Sequence, residues 1–178
     1  AEPSSTETPP STSATTPSTP PGEDTGIAVT AADRAEAAAR VGAMSTADKA
    51  ASVIMVTGDN AYASHLLAKQ HFGGVILFAP GGVVTGTRSG TPSQVAAVTA
   101  RLRADAAADP AGAAPLIATD QEYGLVQRLK NGFTTFPRAA ELGAIADLDT
   151  GVDLTRQVAA AAAQEMRAVG VTVDFAPV

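Results

Sequence analysis

Apolar positions along the chain fall into two patterns. Short continuous runs occur at Ser52–Thr57, Val75–Ala79, Leu116–Thr119 and Val171–Phe175, and each predicts a strand. The first run does not alternate with polar residues, as expected of a parallel strand covered on both faces. Between the runs, apolar residues recur at helical spacing. Val95, Val98, Leu102 and Ala106 share one helical face, and so do Leu154, Val158, Ala162, Met166 and Val169. Start signals precede the helices. Thr30 with Asp33 opens an alanine-rich helix to about Met44, and Ser45 with Asp48 opens a short one. Asn60 caps a helix to about Phe72, ended by Gly73-Gly74; Thr91-Pro92-Ser93-Gln94 opens another, ended by Asp109-Pro110-Ala111-Gly112. Thr150, with Asp153 three residues on, caps the last helix, and Gly170 terminates it. The glycine-rich stretch Pro80–Gly90 is a loop, and the long segment Asp120–Asp149 holds a short helix near Arg138–Leu142. The order α-β-α-β-α-β-α-β predicts a parallel sheet with right-handed crossovers.

Composition restricts this picture at the N-terminus. Residues 1–26 are mostly Ser, Thr and Pro without apolar periodicity, so they cannot bury enough surface to offset their ordering entropy. They are expected to form a disordered stalk, leaving 27–178 as one structured domain. That length is short for a complete (β/α)8 barrel, which needs ~250 residues. The expected fold class is α/β, the N-terminal half of a (β/α)8 TIM-type barrel. The fourth predicted strand would be a bare hydrophobic edge, which suits a truncated sequence or one piece of a longer chain. The net charge is −6 with no basic run, which argues against nucleic-acid binding. No stretch of ~18 apolar residues marks a transmembrane helix, and there is no signal-peptide core. The first residue, Ala1, is compatible with a processed N-terminus. Without cysteine the chain has no disulfides, thiolate catalysis or cysteine metal sites.

Candidate chemistry gathers behind the third predicted strand, in Asp120-Gln121-Glu122-Tyr123-Gly124-Leu125-Val126-Gln127-Arg128. The C-terminal end of a strand is where α/β proteins bind ligands. There Asp120 can accept from hydroxyls and Arg128 can donate at fixed angles, a pairing suited to a polyhydroxylated ligand. The other reading is an Asp–Arg ion pair that only orders a loop. Gln121 and Glu122 are expected to brace the loop by hydrogen bonds. Tyr123 either stacks on a sugar face or fills a gap, and Asp174 is expected to play a structural hydrogen-bonding role. His65 and His71 are six apart, a spacing that does not share a metal from one helix face, so surface or core positions are expected. Neither Gly73-Gly74 nor Gly81-Gly82 belongs to a phosphate-binding fingerprint.

The same run resembles the Asp-Gln-Glu-Gly-Gly-Arg-Val-Gln-Arg segment of glycoside hydrolase family 3 β-N-acetylhexosaminidases. Gly73-Gly74-Val75-Ile76-Leu77-Phe78, Gly132-Phe133-Thr134-Thr135-Phe136-Pro137 and Val173-Asp174-Phe175-Ala176-Pro177-Val178 are similar to three more family motifs, in the family's order. The resemblance runs from about Ser45 to Val178. Tyr123 replaces a usual glycine and Leu125 a frequent arginine, which leaves sugar selectivity open. The resemblance implies removal of terminal N-acetylglucosamine from peptidoglycan fragments by a retaining mechanism, with no metal or other cofactor. It makes Asp120 and Arg128 substrate-binding residues. The family's nucleophilic Asp, its His proton donor and its Lys-His-Phe-Pro-Gly-His segment do not occur here, so no catalytic residue is assigned and the chain is expected to be inactive by itself. The stalk implies an exported member in the cell envelope or secreted, with a lipid anchor upstream; a cytosolic tail is the other reading. Two alternative functions stand beside this one: a carbohydrate-binding envelope protein without catalysis, and a family 3 β-glucosidase-type enzyme.

Overall fold

The computed structural model describes residues 28–58, 61–78, 84, 89–109 and 113–177. The expected stalk at 1–26, the expected cap Asn60 and most of the loop Pro80–Gly90 lie outside the described residues. The chain separates into two units, Ala1–Ala39 and Arg40–Val178. Helix α1 (Ala31–Ala43) opens in the first. Its cap is reciprocal: Asp33 N–H donates to Thr30 Oγ1 at 3.1 Å and Thr30 N–H to Asp33 Oδ2 at 2.8 Å.

The second unit contains helices α2 (Thr46–Ser52), α3 (Ala61–Gln70) and α4 (Pro92–Ala107), followed by α5 (Ala139–Gly143) and α6 (Leu148–Ala168). Its main sheet has strands β1 (Met55–Thr57), β2 (Gly74–Ile76), β3 (Leu116–Thr119) and β6 (Val173–Asp174). A hairpin of β4 (Gln121–Tyr123) and β5 (Val126–Gln127) stands apart from that sheet. The four main strands are parallel, in the order β1-β2-β3-β6. Val75, Leu77, Ile117 and Thr119 are fully buried in the sheet. Val95, Leu102 and Ala106 of α4 and Ala162 and Met166 of α6 close over the same core. Each large aliphatic side chain buried this way contributes roughly 1.5–3 kcal/mol. A polar contact also joins two of the helices: Thr99 Oγ1 of α4 donates to the carbonyl of Val169, at the end of α6, at 2.7 Å. Among the described residues no helix is long and apolar enough to cross a membrane.

Several boundaries differ from the expectation. The first strand begins at Met55 rather than Ser52, because α2 runs on through Ser52 and leaves Val53 exposed. Coverage on both faces therefore fails at that end. Asp147, not Thr150, caps α6; its Oδ1 accepts the Thr150 N–H at 2.9 Å, which puts Thr150 inside the first turn. The expected stripe of α6 holds at Ala162, Met166 and Val169 but not at Leu154, which is exposed. Thr99 takes the central buried place on α4, with Val98 only partly buried.

Two features at the approach to β2 decide how that strand is placed. A Cβ on Gly73 would overlap the Ser52 carbonyl oxygen, and one on Gly74 the Leu116 carbonyl oxygen. The Gly73 N–H meanwhile bonds the Ile54 carbonyl at 3.0 Å. The glycine pair therefore admits β2 between its neighbours rather than merely ending α3. That helix ends earlier, at Gln70, with His71 in the left-handed region at φ 54°. His71 joins two acids: Nδ1 lies 2.8 Å from Asp48 Oδ1 and Nε2 3.7 Å from Asp109 Oδ2. The Asp48 hydrogen bond raises the His71 pKa, burial opposes it, and Asp109 adds to the rise. Asp48 itself is held below the usual carboxylate range, first by Ser45 and then by His71.

Gly73→Ala is expected to lose about 1–3 kcal/mol of stability in chemical denaturation, the usual range for overpacking. For His71 the folded pKa lies above the unfolded value of about 6.5. Its stabilisation is therefore complete below about pH 6.5 and disappears as pH rises through the folded pKa. His71→Asn keeps a residue that tolerates the left-handed backbone. The melting-temperature gap between wild type and His71→Asn is expected to be wider at about pH 5 than at about pH 9; an equal gap at both would show that His71 carries no pH-linked stability.

Candidate functional site

The C-terminal ends of three neighbouring strands deliver residues to one place. Phe78 lies just beyond β2, Asp120 directly follows β3, and Asp174 closes β6. The chain then leaves the sheet in the β4–β5 hairpin, whose pairs are Gln121 with Gln127 and Tyr123 with Val126. Its two-residue loop is Gly124-Leu125. Gly124 has φ 81°, at the position where such a loop favours glycine, and Leu125 is almost wholly exposed at the tip. Tyr123 also has positive φ, 59°, an uncommon state for a residue with a side chain.

Gln121 fixes the hairpin. Its side chain is 1% exposed and accepts the backbone N–H groups of Arg128 at 3.0 Å and Leu129 at 2.9 Å through Oε1. Its Nε2 donates to the Leu129 carbonyl at 2.9 Å, a carbonyl that also accepts from Gln127 Nε2 at 3.0 Å. The Gln121 N–H donates to Asp174 Oδ1 at 2.8 Å. The bracing role expected of Gln121 and the structural role expected of Asp174 are both observed. Burial raises the Asp174 pKa; the Gln121 N–H opposes this, and the nearby Asp120 and Glu122 charges add to the rise.

This hairpin brings Arg128 back over Asp120. Arg128 Nη2 lies 3.2 Å and Nε 3.4 Å from the same carboxylate oxygen, Asp120 Oδ2. The pair uses neither Asp120 Oδ1 nor Arg128 Nη1. It is not the two-oxygen fork that makes the strongest Arg–carboxylate pair. Both partners keep some solvent access, with side chains 30% and 17% exposed for Arg128 and Asp120. The guanidinium carbon also sits 4.6 Å from the centroid of the Phe78 ring.

Below the hairpin, Tyr123 meets Phe136 edge to face, with centroids 5.0 Å apart and an interplanar angle of 87°. Burial pushes the Tyr123 phenol up to about 12. Glu165 of α6 ties down the turn carrying Phe136 by accepting the Thr134 N–H at 3.1 Å. An apolar groove of about 650 Å³ runs between Tyr123, α5 and α6, with Glu122 and Asp174 among its lining residues. The gap-filling contact of Tyr123 is thus present in the structure. Of the histidines, His65 is exposed and His71 is paired to acids far from this site's strand ends. The hairpin and the role of Phe78 were missed in the sequence. Tyr123-Gly124-Leu125 between short runs was a usable hairpin signal; nothing local marks Phe78.

The family model for the glycosyl hydrolase family 3 N-terminal domain matches residues 45–178. The chain belongs to glycosyl hydrolase family 3. A β-hexosaminidase of Nitrosomonas eutropha is 38% identical over 130 residues, 72% of this chain and 33% of that protein. Among solved structures, a family 3 β-N-acetylglucosaminidase from a Paenibacillus species superposes with a TM-score of 0.64 at 31% identity, covering 76% of this chain and 24% of that one. NagZ from Neisseria gonorrhoeae, solved in complex with N-trifluoroacetyl-D-glucosamine, gives 0.55 at 28% identity, covering 70% and 35%. The chain thus spans about a third of the length of the curated relative. The expected fold holds: the sheet and its helices are the N-terminal part of the family 3 (β/α)8 barrel.

Replacing Gln121 by Leu keeps the volume but leaves two backbone N–H groups without their acceptor. In this family 3 domain the change is expected to cost at least about 2 kcal/mol in urea denaturation. A loss below about 0.5 kcal/mol would mean the hairpin does not depend on this amide.

Proposed function

We propose that the protein is a β-N-acetylhexosaminidase that removes terminal non-reducing N-acetyl-β-hexosamine residues, with peptidoglycan fragments as substrates. The observation that carries this reading is the half-used Asp120–Arg128 pair at the strand ends. Asp120 Oδ1 is available to accept one sugar hydroxyl, and Arg128 Nη1 to donate to a neighbouring oxygen. A pair that only ordered a loop would gain more from closing both oxygens against the guanidinium. The relatives support the same substrate class: a β-hexosaminidase, a β-N-acetylglucosaminidase and a protein solved with N-trifluoroacetyl-D-glucosamine.

In this reading residues 45–178 supply binding, and bond cleavage rests on other groups. A retaining reaction needs a carboxylate nucleophile and a proton donor on opposite sides of the glycosidic bond. The family's segments for those two roles are not in the sequence. The work of Asp120 and Arg128 is to hold the sugar ring so that its anomeric carbon faces the nucleophile and proton donor. The Ser/Thr/Pro-rich residues 1–26 support action in the cell envelope, where peptidoglycan fragments arise.

Asp120→Ala in the intact gene product is expected to weaken N-acetylglucosamine binding by about tenfold to a hundredfold, the range for hydrogen bonds to a charged group. Titration calorimetry with N-acetylglucosamine reads this directly. Unchanged affinity would remove Asp120 from the sugar site.

A further inference from the structure

Phe78 presents a feature that the sugar-binding pair alone does not explain. Its neighbour Leu77 is fully buried and still pairs with β3, its N–H donating to the Ala118 carbonyl at 2.7 Å. Phe78 itself is left 38% exposed at the strand end. The exposed part of this ring gains nothing by burial, and over the ring lies the Arg128 guanidinium, its central carbon 4.6 Å from the centroid. Arg128 is thereby held in two directions: Asp120 Oδ2 faces its Nε–Nη2 edge, and the Phe78 ring lies beneath its central carbon. The Gln121 amide fixes the Arg128 backbone from a third side.

The geometry points to Phe78 as a positioning residue for sugar binding, acting through Arg128. This deepens the proposed hexosaminidase site and rests on it. An unsupported arginine side chain samples many rotamers, and ordering it at the moment of binding weakens affinity. A guanidinium already laid on an aromatic face, with one edge taken by Asp120, keeps Nη1 aimed where a ligand oxygen arrives. The requirement is for a π face, so Tyr serves at position 78 and Leu or Met does not.

The test uses the intact gene product, with N-acetylglucosamine for binding and 4-nitrophenyl N-acetyl-β-glucosaminide for turnover. Phe78→Leu is expected to raise Kd about fivefold, while Phe78→Tyr stays within about twofold. KM rises with Kd in Phe78→Leu and kcat stays near wild type, the signature of lost uniform binding. Phe78→Met replaces Phe78→Leu if the latter does not fold. In an Arg128→Met background, Phe78→Leu is expected to add no further loss. Wild-type affinity in Phe78→Leu, alongside lost affinity in Asp120→Ala, would overturn the positioning role and leave the sugar site standing. A full Phe78→Leu loss persisting in Arg128→Met would also overturn it, because the ring would then act on the sugar directly. Unchanged affinity in both Phe78→Leu and Asp120→Ala would remove the site itself.

Discussion

The Gln121 side chain lies in the interior with its oxygen shared by two backbone N–H groups and its nitrogen on a backbone carbonyl. None of these groups can exchange its partner for water without opening the hairpin, so each broken bond carries its full desolvation cost. Through its own N–H the same residue is tied to Asp174 at the end of the neighbouring strand. The hairpin register and its attachment to the sheet thus depend on one amide. Asp120 precedes that residue and Arg128 is bonded to it, so their meeting is a geometric result of the clamp more than of their mutual attraction. The ion pair is partly buried and closes on a single carboxylate oxygen, so it does not dictate the geometry by itself. Its place is set by the neutral hydrogen bonds behind it.

Interactions spanning three residues were legible in the sequence. The caps of α1, α2 and α4 are Thr30 with Asp33, Ser45 with Asp48, and Thr91 with Gln94, and all three are reciprocal. β3 occupies Leu116–Thr119 as expected, because its apolar run is bounded by loop residues on one side and by Asp120 on the other. The parallel order followed from alternation of helices and strands. What depended on distant partners was not legible. His71 reaches an acid 23 positions away, and Phe78 meets Arg128 only because β2 and β3 are neighbours. The start of α6 was misplaced by two nested signals, Asp147 before Thr150 and Thr150 before Asp153, of which the first bonds the backbone. The Asp120 and Arg128 pair was singled out by resemblance and by strand-end chemistry. Their 3.2 Å contact required the hairpin, which was not foreseen.

Tyr123 holds a turn position that favours glycine, with φ 59°. Its left-handed backbone costs about 1–2 kcal/mol relative to glycine. Its edge-to-face contact with Phe136 is worth about 0.5–1.5 kcal/mol beyond burial, enough to offset much of that cost. The ring also walls the apolar groove under the hairpin, and burial pushes its phenol further from ionisation. Aromatic packing thus supports the hairpin at a backbone position that glycine would adopt without strain.

The order of the sheet has a bearing on how the protein comes off the ribosome. Each main strand pairs with the one made before it: β2 with β1, β3 with β2, and β6 with β3. The only strands made between β3 and β6 pair with each other and leave the growing edge free. Among these four strands, each finds its first partner already made. The sheet can therefore assemble vectorially, with each nascent segment docking on the edge its predecessor has just presented.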